Sequence, residues 1–205
     1  MPATWIARQR GSNNVLVLTP TGTGAPFILD ESPIQQVQHA VFFPDGKRLL
    51  LVGVEPGGNQ RLYAQDLPSG KPKAIAAKRY GIGETPISYD GTRILAYGEW
   101  SDDLFILPVA GGEPTQIPGT KDLDLVRWAQ DGRSLYCQTI GTVPKRIFRV
   151  DAATGRREPW KEFGPADTAG VIEVAPVFIT PDARSYAYQL ARAETSDLYL
   201  VEGLK

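Results

Sequence analysis

The chain of 205 residues has one histidine, one cysteine and one methionine, and a formal net charge of −1. Each scarcity removes a class of function. His39 is the only imidazole available to a Ser-His-Asp or Cys-His arrangement, and no Gly-x-Ser-x-Gly elbow accompanies it. One His and one Cys about a hundred residues apart supply too few ligands for zinc. Cys137 has no partner for an intramolecular disulfide, and it falls in an apolar run that predicts a buried structural thiol. The near-balance of charge argues against a nucleic-acid or anionic-membrane binder, which carries a basic face. No segment reaches the ~18 apolar residues of a membrane helix. Met1 to Gly11 lacks an apolar signal core. Without an export signal, the expected compartment is cytoplasmic by default.

Glycine and proline, in contrast, are plentiful at 21 and 17 residues. Five of them fall in one recurring turn. Phe43-Pro44-Asp45-Gly46, Ser88-Tyr89-Asp90-Gly91, Ala129-Gln130-Asp131-Gly132 and Thr180-Pro181-Asp182-Ala183 are four copies of it, with aspartates 45, 41 and 51 residues apart. Asp followed by Gly between two β-prone runs predicts a hairpin. The Asp carboxylate takes up backbone N–H groups ahead of it, and Gly accepts the positive φ. Asp45, Gly46, Asp90, Gly91, Asp131, Gly132 and Asp182 are therefore read as structural turn residues. Ala183 replaces the last Gly, so the fourth turn is expected to be of another type or strained.

Around each turn the surroundings repeat. An apolar run precedes the Asp, as in Ala40-Val41-Phe42-Phe43, Pro86-Ile87, Val126-Arg127-Trp128 and Val177-Phe178-Ile179. A second follows it, as in Leu49-Leu50-Leu51-Val52, Ile94-Leu95-Ala96-Tyr97, Leu135-Tyr136-Cys137 and Tyr186-Ala187-Tyr188. A third run has a central aromatic, Tyr63, Phe105, Phe148 or Tyr199. Seven residues after the first three comes a turn glycine, Gly70, Gly112 or Gly155, and then a short fourth run. A repeat of about 40–45 residues built from four short strands is the signature of a β-propeller blade. The expected fold is thus all-β, a propeller of four-stranded antiparallel blades.

The blades are assigned to residues 36–79, 80–120 and 121–165, with partial blades at 3–35 and 171–205. Three full and two partial blades make either a small ring of about five or an open arc of a larger propeller. Exposed strand edges in partial blades make self-association a further expectation. The stretch Lys161 to Gly170 reads as a lengthened connection before the last blade, which accounts for the spacing of 51.

Propellers are scaffolds, so the fold does not name a function. The sequence offers no catalytic residue, no metal site and no cofactor motif. Asp102-Asp103 and Asp122-x-Asp124 match no calcium loop, and Gly22-Thr23-Gly24 and Gly81-Ile82-Gly83 lack the Lys-Ser/Thr of a phosphate loop. Strand position nominates His39, Glu84 and Arg127, just before the turns, and Asp167, in the long connection, as contacts for a protein or small ligand.

The Phe43-Pro44-Asp45-Gly46-Lys47-Arg48 turn resembles the TolB-like propeller repeat, a relative of the WD repeat. Further phrases resemble the C-terminal propeller of acidobacterial receptor-type serine/threonine kinases. They include Arg61-Leu62-Tyr63-Ala64-Gln65-Asp66-Leu67, Asp131-Gly132-Arg133-Ser134-Leu135-Tyr136, Arg156-Arg157-Glu158-Pro159-Trp160 and Asp197-Leu198-Tyr199-Leu200-Val201. That resemblance implies an extracytoplasmic sensing or binding module. It transfers no catalytic residue, because no Gly-x-Gly-x-x-Gly, His-Arg-Asp or Asp-Phe-Gly motif is present. The alternatives are an accessory propeller of a hydrolase, and a fragment without independent function.

Overall fold

A computed structural model describes residues 5–10, 15–99 and 101–193, with the side chains of 5–10 and 15 left aside. All regular structure among them is β. The first sheet has three strands, β1 (Trp5–Arg10), β2 (Val15–Pro20) and β3 (Phe27–Ile28). The second has β4 (Gln36–Phe42), β5 (Arg48–Val54), β6 (Gln60–Asp66) and β7 (Lys73–Ala74). The third has β8 (Tyr80–Gly81), β9 (Arg93–Gly98), β10 (Leu104–Pro108) and β11 (Thr115–Gln116). The fourth has β12 (Leu123–Trp128), β13 (Ser134–Thr139), β14 (Lys145–Asp151) and β15 (Arg157–Phe163). The fifth pairs β16 (Val171–Ile179) with β17 (Tyr186–Arg192). Every pairing is antiparallel between chain neighbours, so each sheet is a meander. The expected strand at Asp197–Val201 lies outside the described residues, and no described helix is long and apolar enough to cross a membrane.

Strand alternation explains how the sheets stack, because successive side chains leave opposite faces. On β5, Leu49 and Leu51 join Leu16, Leu18 and Leu29 of the first sheet, whereas Leu50 and Val52 join Ile94, Ala96 and Leu107 of the third. On β9, Leu95 turns the other way, to Trp128, Leu135 and Cys137 of the fourth. On β13, Tyr136 then meets Val174, Val177 and Ile179 of the fifth, with Phe163. The core is four such layers between neighbouring sheets. The aromatics Tyr63, Phe105 and Phe148 each pack toward the preceding sheet. Cys137 is buried, as expected, and burial pushes its thiol up to about 12.

The four turns are alike in detail. Gly46, Gly91, Gly132 and Ala183 donate their N–H to Phe43, Ser88, Ala129 and Thr180 carbonyls at 2.9, 2.8, 3.1 and 2.9 Å. Asp45, Asp90, Asp131 and Asp182 accept from the backbone N–H two residues on, at 2.9, 3.0, 2.9 and 3.1 Å. Ala183 adopts φ 56°, close to the 65–67° of its three glycine counterparts. The turn type is therefore kept, and the alanine takes the strain.

Two expectations need correction. The first strand of the third sheet is not a run through Pro86-Ile87; β8 stops at Gly81, and Ile87 makes only an isolated bridge to Ile94. Proline cannot donate to a ladder, which breaks the strand there. The stretch from Lys161 is also not all connection. Lys161, Glu162 and Phe163 pair with Ile147, Arg146 and Lys145, with Phe163 buried among the fourth and fifth sheets. The connection runs from Gly164 to Gly170. The spacing of 51 reflects a seven-residue β15 and a nine-residue β16 as well.

Neighbouring sheets also approach through backbone. A β-carbon on Gly155, whose φ is 70°, would stand 1.9 Å from the Pro118 carbonyl oxygen of the preceding repeat. Gly155→Ala is expected to destabilise the chain by roughly 2–3 kcal/mol. Ala183→Gly, relieving left-handed strain, is expected to stabilise it by about 1 kcal/mol. Urea unfolding of the two variants beside the parent checks both signs.

Candidate functional site

The first strand of each blade lies nearest a propeller's axis, and here those strands are irregular. β4 has a register shift between Val37 and His39, β12 between Leu125 and Arg127, and β16 between Val174 and Val177. Bulges of this kind re-aim the side chains beside them. Arg127, just past one of them, is held by two neighbouring sheets. Its terminal nitrogens donate to the Ile179 carbonyl of the fifth sheet and to the Tyr89 hydroxyl of the third repeat. Its guanidinium lies 5.4 Å from the Tyr89 ring centroid. Thr85 Oγ1 reaches across in the same region, donating to the Val126 carbonyl at 2.7 Å.

These contacts frame a crevice of about 150 Å³ between the third, fourth and fifth sheets. Glu84, Thr85, Arg127 and Gln138 supply its polar groups, and Leu125, Val177 and Phe178 much of its apolar wall. Glu84 and Arg127 share the crevice without forming an ion pair. Two atoms of its lining residues, Arg127 Nε and Gln138 Oε1, are enclosed without a partner. Beside Gln138 stands Asp124, whose carboxyl burial pushes upward; the Lys145 charge and a hydrogen bond from Gln138 work the other way. Lys145 itself is 3% exposed.

Of the four nominated contacts, then, the structure brings Glu84 and Arg127 together. His39 is half-buried on β4 opposite Val52, away from the crevice lining. Asp167 is exposed in the connection before β16. Its carboxylate accepts the Ala169 N–H at 2.9 Å and its carbonyl accepts from Arg192 at 2.9 Å. Thr85 and Gln138 were not legible as partners. The signal for Gln138 was a polar residue closing the apolar run Leu135-Tyr136-Cys137. Of the acidic pairs, Asp122 is engaged by Arg157, and Asp103 accepts from Ser101 at 2.7 Å. No group of acidic, His or Cys side chains among the described residues has metal-binding geometry.

On the turn face the cations form a relay. Arg48 stacks 4.2 Å from the Phe43 ring centroid and donates to the Gly91 carbonyl of the next turn at 3.4 Å. Arg93 lies 4.6 Å from the Trp128 ring centroid and donates to the Gly132 carbonyl at 2.6 Å. Ser134 takes the equivalent place in the next turn, and Arg149 reaches Asp131 from β14 at 2.7 Å.

No protein-family model matches the chain, and no curated protein does. Solved structures do. TolB from Acinetobacter baumannii superposes with a TM-score of 0.65 at 17% identity, covering 91% of this chain and 48% of its own. The fold is a TolB-like β-propeller. A protein described as TolB from Agrobacterium tumefaciens gives 0.57 at 18%, covering 94% and 78%. One described as a dipeptidyl aminopeptidase IV from Bacteroides ovatus gives 0.57 at 12%, covering 86% and 29%. The chain thus spans about half the length of the Acinetobacter TolB, and at these identities the likeness is one of fold.

Three turn carboxylates of this TolB-like propeller, Asp90, Asp131 and Asp182, titrate low. The Ser88 hydroxyl and then the Thr92 N–H bring Asp90 down to about 2. At Asp131, burial pushes upward but is outweighed by the Arg133 and Ser134 N–H groups and the Arg149 guanidinium, which hold it below the usual range. A depressed carboxylate contributes stability that is present above its unfolded pKa of about 4 and is lost as pH falls through the folded value. Asp90 is over half exposed, so solvent screening leaves a contribution of about 1 kcal/mol. Asp90→Asn is expected to lose about that much at neutral pH, with the difference from the parent vanishing between about pH 4 and pH 2. Urea titrations at stepped pH read it directly.

Proposed function

We propose that this chain is a non-catalytic propeller module that binds a protein or small ligand at the crevice between its third, fourth and fifth sheets. We further infer, from the sequence phrases that resemble the propeller of receptor-type serine/threonine kinases, that it serves as the sensing region of such a receptor. The observation that carries the binding reading is the placement of Glu84 and Arg127. They come from two repeats, share one crevice, and remain unpaired with each other. Opposite charges brought together in a closed structural core pair up, because an unpaired buried charge is costly. Here one of the two is solvent-exposed, and the other keeps an N–H without a partner. Polar groups converging on a concave, largely apolar wall describe a ligand site.

The test is a thermal-shift screen of the purified chain against small polar metabolites and peptides, run in parallel on Glu84→Ala. The expected outcome is at least one compound that raises Tm by several degrees in the parent and not in the variant. Binding that ignores Glu84, or turnover of a screened compound, would overturn the reading.

A further inference from the structure

The arginine clamp between neighbouring turns stops one junction short. Arg48 of the second sheet holds the Gly91 carbonyl of the third repeat, and Arg93 of the third sheet holds the Gly132 carbonyl of the fourth. At the corresponding place in the fourth sheet stands Ser134, whose hydroxyl turns back to Asp131 of its own turn at 2.9 Å. The Ala183 carbonyl, counterpart of Gly91 and Gly132, accepts no side-chain hydrogen bond among the described residues. Thr85, Arg93 and Trp128 all donate across the junction of the third and fourth repeats, and the Tyr97 hydroxyl accepts the Leu125 N–H there. Between the fourth and fifth sheets one hydrogen bond crosses among the described residues, from Arg127 to the Ile179 carbonyl.

Burial thins at the same junction. β5, β9 and β13 each have three to five consecutive buried residues, whereas six of the seven residues of their counterpart β17 are exposed. A unit with few buried contacts and few bonds to its neighbour opens at lower free energy than the whole chain. The connection permits it. Asp167 to Gly170 belong with the fifth sheet, because Arg192 donates to the Asp167 carbonyl, Val171 N–H to Thr168 and Ala193 N–H to Gly170. Gly164 belongs with the fourth, where a β-carbon on it would stand 3.2 Å from the Pro144 side chain. Between them, Pro165 and Ala166 make no hydrogen bond among the described residues, so these two can absorb a rotation.

We propose that the fifth sheet is a movable wall: β16 and β17 swing off the fourth sheet as one unit about Pro165 and Ala166, freed by the serine at position 134. Val177 and Phe178 leave with it, so the swing opens the crevice they line. That this opening serves a ligand rests on the binding reading above; the swing itself does not.

Thiol labelling of the full chain reads the motion. Val174→Cys places a thiol in the layer between the fourth and fifth sheets, and the native Cys137 lies in the layer between the third and fourth; both positions are 0% exposed. The thiol at position 174 is expected to react at least about ten-fold faster than Cys137 in native buffer. Hydrogen exchange on the unaltered chain is the companion measurement, with the β16–β17 ladder amides expected to exchange at least about ten-fold faster than those of β9–β10. Ser134→Arg with Arg149→Ala recreates the Arg48 and Ala64 of the second sheet. It is expected to slow labelling at position 174 about five-fold and to leave Cys137 unchanged. Equal labelling of the two thiols, or β16–β17 amides exchanging no faster than those of β9–β10, would overturn the proposal, as would a folded clamp variant that leaves the rate at position 174 unchanged. These rates do not depend on any ligand, so equal rates leave a Glu84-dependent binder standing, and failure of the ligand screen leaves the swing standing.

Discussion

Among the described residues no sheet has a core of its own; the burial of one sheet's face against the next is what the rest of the structure depends on. β5 shows why. Its five central residues are all buried, with alternate side chains serving the sheet before and the sheet after. A strand buried on both faces loses half its stabilisation if either neighbour leaves. Each large side chain in such a layer contributes about 2 kcal/mol. A layer of eight or so therefore outweighs anything the exposed ion pairs of the turn face add. The polar contacts between sheets matter differently. Arg48 and Arg93 each clamp the next turn, the Trp128 indole donates to the Pro86 carbonyl at 3.0 Å, and these bonds fix the rotation of one blade on the next.

The repeated turn was legible because its chemistry is local. An aspartate that binds the N–H two residues on, followed by a residue with positive φ, can be read from four letters. The unbroken apolar run Leu49 to Val52 likewise announced a strand. Strand lengths were not legible in the same way. β15 runs seven residues because Phe163 finds a pocket made by its own sheet and the fifth, and nothing near Trp160 in sequence says so. β8 is short because Pro86 interrupts the ladder, which the sequence did contain but which the apolar run around it masked.

The candidate site was half legible. Glu84 and Arg127 follow from their place before the Asp-Gly turns. Gln138 and Thr85 do not, because the crevice is made by the angle between sheets, and that angle is a product of side-chain packing. His39 occupies a position like that of Glu84 in its own repeat, yet it stands outside this crevice. The difference traces to Arg127, which bridges Tyr89 and Ile179 and so holds three sheets around one opening. The same residue that orders the packing keeps one N–H enclosed without a partner. The proposed binding role thus falls on a side chain that also orders the packing.

A high-resolution crystal structure of the chain tests this most directly. The account predicts the Arg127 guanidinium bonded to the Ile179 carbonyl and the Tyr89 hydroxyl, and standing apart from Glu84. An Arg127–Glu84 ion pair closing the crevice would contradict it.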